Sequence, residues 1–297
     1  MNQSFRNQTT LGKPISVQGW GYWSGRDICL TFRPAKADAG VTFVRTDLPG
    51  SPRIPAVIQN RVNGPRRTTL VANGAPVEMV EHVLAALAGM QIDNCEVHVD
   101  RAEMPGFDGS SFDFVSALLE ADRVELNRPR LARKIRGPLR VGDQDSWIQA
   151  EPADCFEIEY NLSYDCPAIG SQQFAAVITP EFFASEIAPA RTFVLRHEAE
   201  QLQKQGLGQR VTYRDLLVFD DQGPIENELR FDNECARHKL LDVVGDFALS
   251  GFDILGKFKA YRSGHRLNSR MVFAILQQAV NSDPHAGSDG QKIRIPA

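Results

Sequence analysis

Residues 231–251 read Phe-Asp-Asn-Glu-Cys-Ala-Arg-His-Lys-Leu-Leu-Asp-Val-Val-Gly-Asp-Phe-Ala-Leu-Ser-Gly, and this stretch predicts the element around which the chain is built. Asp232 or Asn233 can cap the start of a helix, and Gly251 can end it in a left-handed conformation. Polar residues recur at every fourth position, on one face of that helix: Glu234, His238, Asp242 and Asp246. The other faces are mostly apolar, so we expect a buried helix whose polar stripe needs partners or a metal ion.

The pair His238 and Asp242 has two chemical interpretations. An imidazole and a carboxylate four residues apart on a helix form half of a site for a divalent metal ion. The plainer interpretation is an ion pair, which this spacing also permits. The apolar surroundings favour the metal half-site, because a buried carboxylate requires compensation.

Composition and charge exclude several classes of protein. The chain has 297 residues and a net charge of −4, so no broad basic surface favours a nucleic-acid partner. No apolar run has the length of a membrane span, and the first residues lack the apolar core of a signal peptide. The five cysteines are odd in number and form no Cys-x-x-Cys pair, which is typical of reduced thiols. We therefore expect a cytoplasmic protein without stable membrane insertion. A monomer is expected as well, although composition does not determine the oligomeric state.

A second buried helix is predicted at residues 79–89, with Glu81 and His82 at its start. Taken alone, Glu81 would compensate the helix dipole and His82 would be a hydrogen-bonded histidine. Residues 86–92 (Ala-Leu-Ala-Gly-Met-Gln-Ile) match residues 248–254 (Ala-Leu-Ser-Gly-Phe-Asp-Ile), and each segment closes a buried helix that leads into a strand. This faint repeat predicts two domains of similar construction.

The predicted fold class is α+β: a two-domain β-α-α-β sandwich in which each domain is a β-sheet with buried helices, packed between the sheets. The basic, apolar-poor residues 123–137 are interpreted as a charged linker, and the domain boundary is placed there. The domains predicted are residues 1–127 and 128–280, followed by a loose polar tail at 281–297.

Three residues form a candidate ligand set for one metal ion: His82, His238 and Asp242. Two imidazoles and a carboxylate suit zinc and leave a position for water, whose pKa zinc lowers toward neutrality. Glu81, beside a ligand, is the candidate general base. His265, predicted in a loop after a strand, is the candidate general acid, and Gly264 before it would permit close approach. Asp246 can pair with His265 and hold it protonated.

In this order and combination, the residues resemble the zinc-dependent UDP-3-O-acyl-N-acetylglucosamine deacetylases of lipid A synthesis. The resemblance runs from about residue 9 to residue 278, and its segments are residues 80–89, 92–94, 108–110, 190–193, 237–246 and 263–268. It implies two βα-sandwich domains and a zinc ion held by the three candidate ligands. It also implies that Glu81 is the base and His265 the acid, with Asp246 supporting His265.

The resemblance also implies how the substrate, a UDP-sugar with a fatty-acyl chain, is bound. Thr192 corresponds to a threonine that helps to stabilise the oxyanion, and Lys239 to a lysine that contacts the substrate. Further substrate-binding positions are Phe193, Arg262 and Gly264. An insert at about residues 193–222 corresponds to one that shapes an apolar passage for the acyl chain, although its helix is polar here.

Several positions depart from the family pattern. The turn Gly-x-Gly-Leu-His-x-Gly reads Gly-Trp-Gly-Tyr-Trp-Ser-Gly at residues 19–25, so Trp23 replaces a histidine. Glu78 and Met79 replace Ser-Thr, and Arg262 replaces a lysine while keeping a cation for a diphosphate.

Three functional hypotheses follow. The main one is a zinc amidase that removes acetate from the 2-acetamido group of a UDP-linked, 3-O-acylated glucosamine. The second is a paralogue that acts on another N-acetylated sugar. The third is a catalytically silent UDP-sugar binding or regulatory protein, and the pair Glu81 and His265 argues against it because binding alone does not need both residues.

Overall fold

A computed structural model of the protein describes residues 6–281. In the first part of the chain, the elements are β1 Asn7–Leu11, β2 Ile15–Trp20, β3 Asp27–Pro34, β4 Val41–Arg45, β5 Arg53–Pro55, β6 Arg61–Val62, β7 Thr69–Ala72, β8 Ala75–Glu78, α1 Glu81–Gly89, β9 Cys95–Val99 and α2 Phe112–Glu120. In the remainder, they are β10 Arg123–Pro129, β11 Ala132–Lys134, β12 Leu139–Gly142, β13 Trp147–Glu151, β14 Phe156–Ser163, β15 Ser171–Val177, α3 Pro180–Phe182, β16 Phe193–Leu195, α4 Arg196–Lys204, β17 Leu217–Phe219, α5 Glu234–Ala248, β18 Asp253–Tyr261 and α6 His265–Asn281. The tail predicted at 281–297 lies outside the described residues, apart from the last residue of α6.

Two larger sheets have the same construction. One has the strand order β2-β3-β9-β4-β5, and the other has the order β12-β13-β18-β14-β15, with β11 also beside β18. The strand that follows a buried helix is central in each sheet: β9 follows α1 and pairs in parallel with β4, and β18 follows α5 and pairs in parallel with β14. This likeness agrees with the short sequence repeat that ends each of these helices.

Helices α1 and α5 are buried and pack against each other, and α5 also packs on β14 and β15. The two helices are in close contact at Gly245, where a Cβ atom would lie 2.1 Å from the carbonyl oxygen of Glu81. Only glycine permits this approach, which brings the start of α1 against the polar stripe of α5. The predicted α+β class, with sheets and buried helices, is confirmed.

The interpretation of residues 123–137 as a charged linker is wrong. Strand β10 pairs antiparallel with β1, and β11 pairs in parallel with β18. Backbone pairing of a strand does not require apolar side chains, and most of β10 is exposed. The charges also have partners, since Arg130 contacts Asp93 at 3.0 Å and Asp253 at 3.1 Å. The domain division at 127/128, which falls inside β10, stays a prediction.

The ends of α5 differ in detail from the prediction. Asn233 precedes the helix without capping it, because its Oδ1 accepts a hydrogen bond from Arg237 Nε at 2.8 Å and its Nδ2 donates to the carbonyl of Gln173. Gly251 has the expected left-handed φ of 80°, but it lies three residues beyond the end of the helix. Among residues 6–281, no helix combines the length and the apolar character needed to cross a bilayer.

Candidate active site

A cavity of about 1100 Å³ opens where α1, α5 and the start of α6 meet the segment from β16 to β17. Ten predicted site residues line it: Glu81, His82, Thr192, Phe193, His238, Lys239, Asp242, Arg262, Gly264 and His265. The remaining one, Asp246, is fully buried and contacts His265. The structure therefore brings together all the residues that the sequence predicted for the site.

His82, His238 and Asp242 form a compact group, with one ligand atom of each within 4.8 Å of the others. Asp242 Oδ1 lies 3.7 Å from His82 Nε2 and 3.6 Å from His238 Nε2. The two imidazole rings are perpendicular, with centroids 5.0 Å apart. Within residues 6–281, this is the only such group of three or more residues.

The chemistry of the three residues fits a divalent metal ion. The Nδ1–H of His238 donates to the carbonyl of Ala190 at 3.1 Å, which leaves Nε2 as the unprotonated nitrogen. Burial lowers the pKa of His82 to about 3 and also lowers that of His238, so both rings are neutral. Lys239 Nζ lies 2.7 Å from Asp242 Oδ2, and Oδ1 faces the histidines. Burial would raise the pKa of Asp242, but Lys239 and the histidines hold it well below its usual range.

Glu81 and His265 face each other beside this group, with Oε1 and Nε2 3.8 Å apart. Burial raises the pKa of Glu81 to about 7, although the positive charge of His265 opposes the shift. Burial lowers the pKa of His265, but the charge of Asp246 and its 2.8 Å hydrogen bond to Nδ1 outweigh burial and raise it to about 9. The pair can thus hold an ionised carboxylate and a protonated imidazole together.

His265 is the first residue of α6, so its predicted location in a loop is wrong. The expectation that Gly264 is needed for a close approach is also wrong, because a Cβ atom at Gly264 would meet no other protein atom within 4 Å. The space over Gly264 is open and belongs to the cavity. Arg262, two residues earlier, is exposed and lines the same cavity.

Two residues to which the sequence analysis assigned no role, Asn268 and Thr68, donate hydrogen bonds to the carboxylates of the site. Asn268 Nδ2 donates to Asp246 Oδ2 at 2.7 Å. Thr68 Oγ1 donates to Asp246 Oδ1 at 2.6 Å, and the Thr68 amide donates to Glu81 Oε2 at 3.0 Å. Asn268 lies three residues after His265 on α6, so helical spacing could have identified it. Thr68 lies 13 residues before Glu81 and 178 residues before Asp246, and no sequence signal connects it with either residue.

Thr192 is held by a glycine turn. Its amide donates to the carbonyl of Gly109 at 2.8 Å. Gly109 has a φ of 84°, and a Cβ there would lie 2.7 Å from Thr192 Cγ2, so both the conformation and the contact require glycine. The ring of Phe193 stands edge-on to His238, with centroids 6.5 Å apart.

The turn that carries Trp23 is wrapped around the carboxylate of Glu103. That carboxylate accepts hydrogen bonds from the amides of Trp23 and the next residue, at 2.7 and 2.9 Å. A Cβ atom on Gly21 would lie 2.2 Å from Glu103 Oε2, which explains the glycine. Trp23 lines the cavity, and the Arg67 guanidinium lies 4.9 Å from the centroid of its ring and 3.1 Å from Glu78. Arg67 therefore contacts both Trp23 and Glu78, two of the positions at which the sequence departs from the family pattern.

The segment predicted as an insert covers one side of the cavity. Although α4 is polar overall, apolar side chains of this segment face the cavity: Val194, Ala199, Leu202, Leu207, Val211, Leu216 and Val218. Arg66, in the loop before β7, forms a 2.9 Å ion pair with Glu198 of α4. The cavity thus combines an apolar wall with the polar groups near His82.

Comparisons with known proteins identify the family of this chain. The family model described as LpxC, UDP-3-O-acyl N-acetylglycosamine deacetylase, matches residues 8–277. A protein of Oleidesulfovibrio alaskensis named UDP-3-O-acyl-N-acetylglucosamine deacetylase is 41% identical over 273 residues, which are 91% of this chain and 89% of the relative. Relatives with the same name from Syntrophotalea carbinolica and Anaeromyxobacter dehalogenans are 38% and 37% identical, over 92% and 98% of this chain and 88% and 96% of their own. As its sequence motifs predicted, the chain belongs to the family of UDP-3-O-acyl N-acetylglycosamine deacetylases.

Proposed function

We propose that this chain is a zinc-dependent amidohydrolase of lipid A synthesis that removes acetate from the 2-acetamido group of UDP-3-O-acyl-N-acetylglucosamine. The observation that carries the proposal is one cavity in which two neutral imidazoles and a carboxylate lie beside a carboxylate–imidazole pair. Membership of the deacetylase family supports the choice of substrate.

We assign the metal ion to three ligands: His82, His238 and Asp242. This donor set suits zinc, which prefers nitrogen ligands together with a carboxylate oxygen. When bound, zinc supplies a Lewis acid that polarises the carbonyl group of the amide. Lys239 would support the site by fixing Asp242 through the oxygen that faces away from the histidines.

The chain's own residues move the protons. Glu81, ionised and 3.8 Å from His265, accepts a proton from the water whose oxygen bonds to the amide carbon. The Thr192 hydroxyl donates to the oxyanion that forms on the carbonyl oxygen. As the carbon–nitrogen bond breaks, the protonated His265 gives its Nε2 proton to the leaving amine. Until that step, Asp246 stabilises the charged form of His265. The products are acetate and the free amine.

The substrate's other groups have candidate partners around the cavity. Arg262 supplies a cation for the diphosphate, and Gly264 leaves room for the sugar to approach the backbone. Phe193 and the apolar wall of the insert would contact the acyl chain, and Lys239 would contact the sugar. A cytoplasmic location and a monomeric state stay predictions.

The test is acetate release by the purified chain from the acylated UDP-sugar, with the substrate lacking its acyl chain as the comparison. We expect release that stops when a chelator removes the metal and returns when zinc is added back. Metal-independent release would overturn the zinc assignment. No release from this substrate, together with release from another N-acetylated sugar, would replace the proposal with a paralogue of different specificity.

A further inference from the structure

Thr68 lies fully buried just before β7, between two side chains of the candidate active site. Each of its polar groups contacts this region. Its amide donates to Glu81 Oε2 at 3.0 Å, and its hydroxyl donates to Asp246 Oδ1 at 2.6 Å. Its carbonyl accepts from the amide of Val80 at 3.3 Å, immediately before Glu81. Thr68 therefore contacts both the proposed base and the carboxylate that supports the proposed acid.

The hydrogen bonds of Asp246 show what the hydroxyl contributes. Oδ2 accepts from His265 Nδ1 at 2.8 Å and from Asn268 Nδ2 at 2.7 Å, and both donors belong to α6. Oδ1 accepts from Thr68, which is on the opposite side of the carboxylate and in another part of the fold. Donors on both oxygens fix the rotation of the carboxylate, whereas donors on one oxygen alone leave it able to turn. Thr68 thus donates to the second oxygen of the carboxylate that accepts the hydrogen bond of His265.

We propose that Thr68 is a positioning residue for the deacetylation reaction, which fixes Glu81 through its amide and His265 through Asp246. The inference rests on the proposed function. It assigns Thr68 no contact with the substrate, so its effect must pass through the orientation of the acid–base pair. Orientation matters for turnover, because a misplacement of about 1 Å in a reacting group can cost about 100-fold in rate.

Two substitutions separate the hydroxyl from the shape of the side chain. Thr68→Val keeps the shape and the backbone amide but removes the donor to Asp246, while Thr68→Ser keeps the donor. Thr69→Val is the matched control, because Thr69 is the next residue, is 8% exposed, and pairs with Glu78 and Val62 through the backbone of the strand. Comparing these variants with the wild type isolates the hydrogen bond to Asp246 from general effects of burying a methyl group.

The measurements are kcat, KM, metal content and the free energy of unfolding for the full chain. We expect Thr68→Val to lose about 10- to 100-fold in kcat, with KM within about twofold and metal content unchanged. Thr68→Ser should recover most of kcat, and Thr69→Val should stay close to the wild type. If valine prevents folding, the same comparison is made between Thr68→Ala and Thr68→Ser, per folded protein.

Several results would overturn the inference. One is a folded, metal-loaded Thr68→Val variant with wild-type kcat. Another is a loss of kcat that follows the loss of metal or of folded protein and that serine does not restore, since a purely structural role gives that pattern. A wild-type chain that releases no acetate overturns the proposed function itself and removes the reaction for which Thr68 is assigned. The wild-type assay thus distinguishes the two failures.

Discussion

Replacing Asp246 by asparagine is expected to move the basic limb of the pH–activity profile, because Asp246 keeps His265 charged. In the native site, burial lowers the pKa of His265, but the charge and hydrogen bond of Asp246 outweigh burial and raise it to about 9. Without that charge, burial still lowers the pKa of His265 while the charges of Asp242 and Glu81 still raise it, so the pKa should fall toward its ordinary 6.5.

The size of the loss follows from the protonated fraction of His265. At about pH 8, a group with a pKa of about 9 is about 90% protonated and one with a pKa of about 6.5 is about 3% protonated, so a complete return to 6.5 would lower kcat/KM about 30-fold from protonation alone, and this is the largest loss expected from that cause. Because His265 acts in its protonated form, activity is present below its pKa and is lost as the pH rises through it. The deficit should therefore shrink as the pH falls toward about 6.

The assay is kcat/KM across the pH range, with metal content measured for each protein. Asn268→Ala is the control, since it removes a neutral donor from the same carboxylate oxygen and keeps the charge. Its basic limb should stay near that of the wild type. A basic limb near pH 9 in a metal-loaded Asp246→Asn variant would refute the assignment of His265 as the acid.

Three further predictions concern the metal, the helix crossing and the turn at Trp23. One metal ion per chain should co-purify, and elemental analysis should show its loss after alanine substitution of any one of the proposed ligands: His82, His238 or Asp242. Gly245→Ala should cost about 1–3 kcal/mol of unfolding free energy by overpacking and should lower kcat per folded protein, because its Cβ would push against the Glu81 carbonyl. The control Gly89→Ala, whose Cβ would meet the ring of Phe183, should destabilise the protein but affect kcat less. Equal kcat values for the two variants would contradict this expectation. Trp23→His should change KM more than metal content, and an unchanged KM would place that turn away from the substrate.

The sequence predicted the parts of the site that depend on spacing along one helix. His238, Asp242 and Asp246 follow the periodicity of α5, and the apolar faces of the helix signalled its burial. Glu81 directly precedes His82 in the sequence, and both residues stand at the start of α1. These predictions succeeded because helical geometry converts sequence separation directly into position in space.

The predictions failed where position depends on another part of the chain. The charges at 123–129 suggested a linker, whereas the pairing of β10 with β1 is set by backbone hydrogen bonds that no side-chain pattern records. Thr68 contacts Asp246 only because the segment just before β7 meets the helix α5 in the fold. The partner of Glu234 on the polar stripe is Arg191, 2.8 Å away in a loop, and no spacing rule pairs them.

The charges around the site favour a bound cation. Asp242 and Asp246 are matched by Lys239 and the protonated His265, so an ionised Glu81 adds a third buried carboxylate, near which the positive charge of Arg61 also lies. Burial is the main reason why the pKa of Glu81 rises to about 7, and the charges of Asp242 and Asp246 add to the rise while that of His265 opposes it. A divalent ion held by His82, His238 and Asp242 would add positive charge to this region. It should therefore lower the pKa of Glu81 and favour the negative charge that develops on the carbonyl oxygen during the reaction. The acidic limb of the metal-loaded enzyme should accordingly lie below pH 7 in a kcat/KM profile, and a limb above that value would contradict this charge balance.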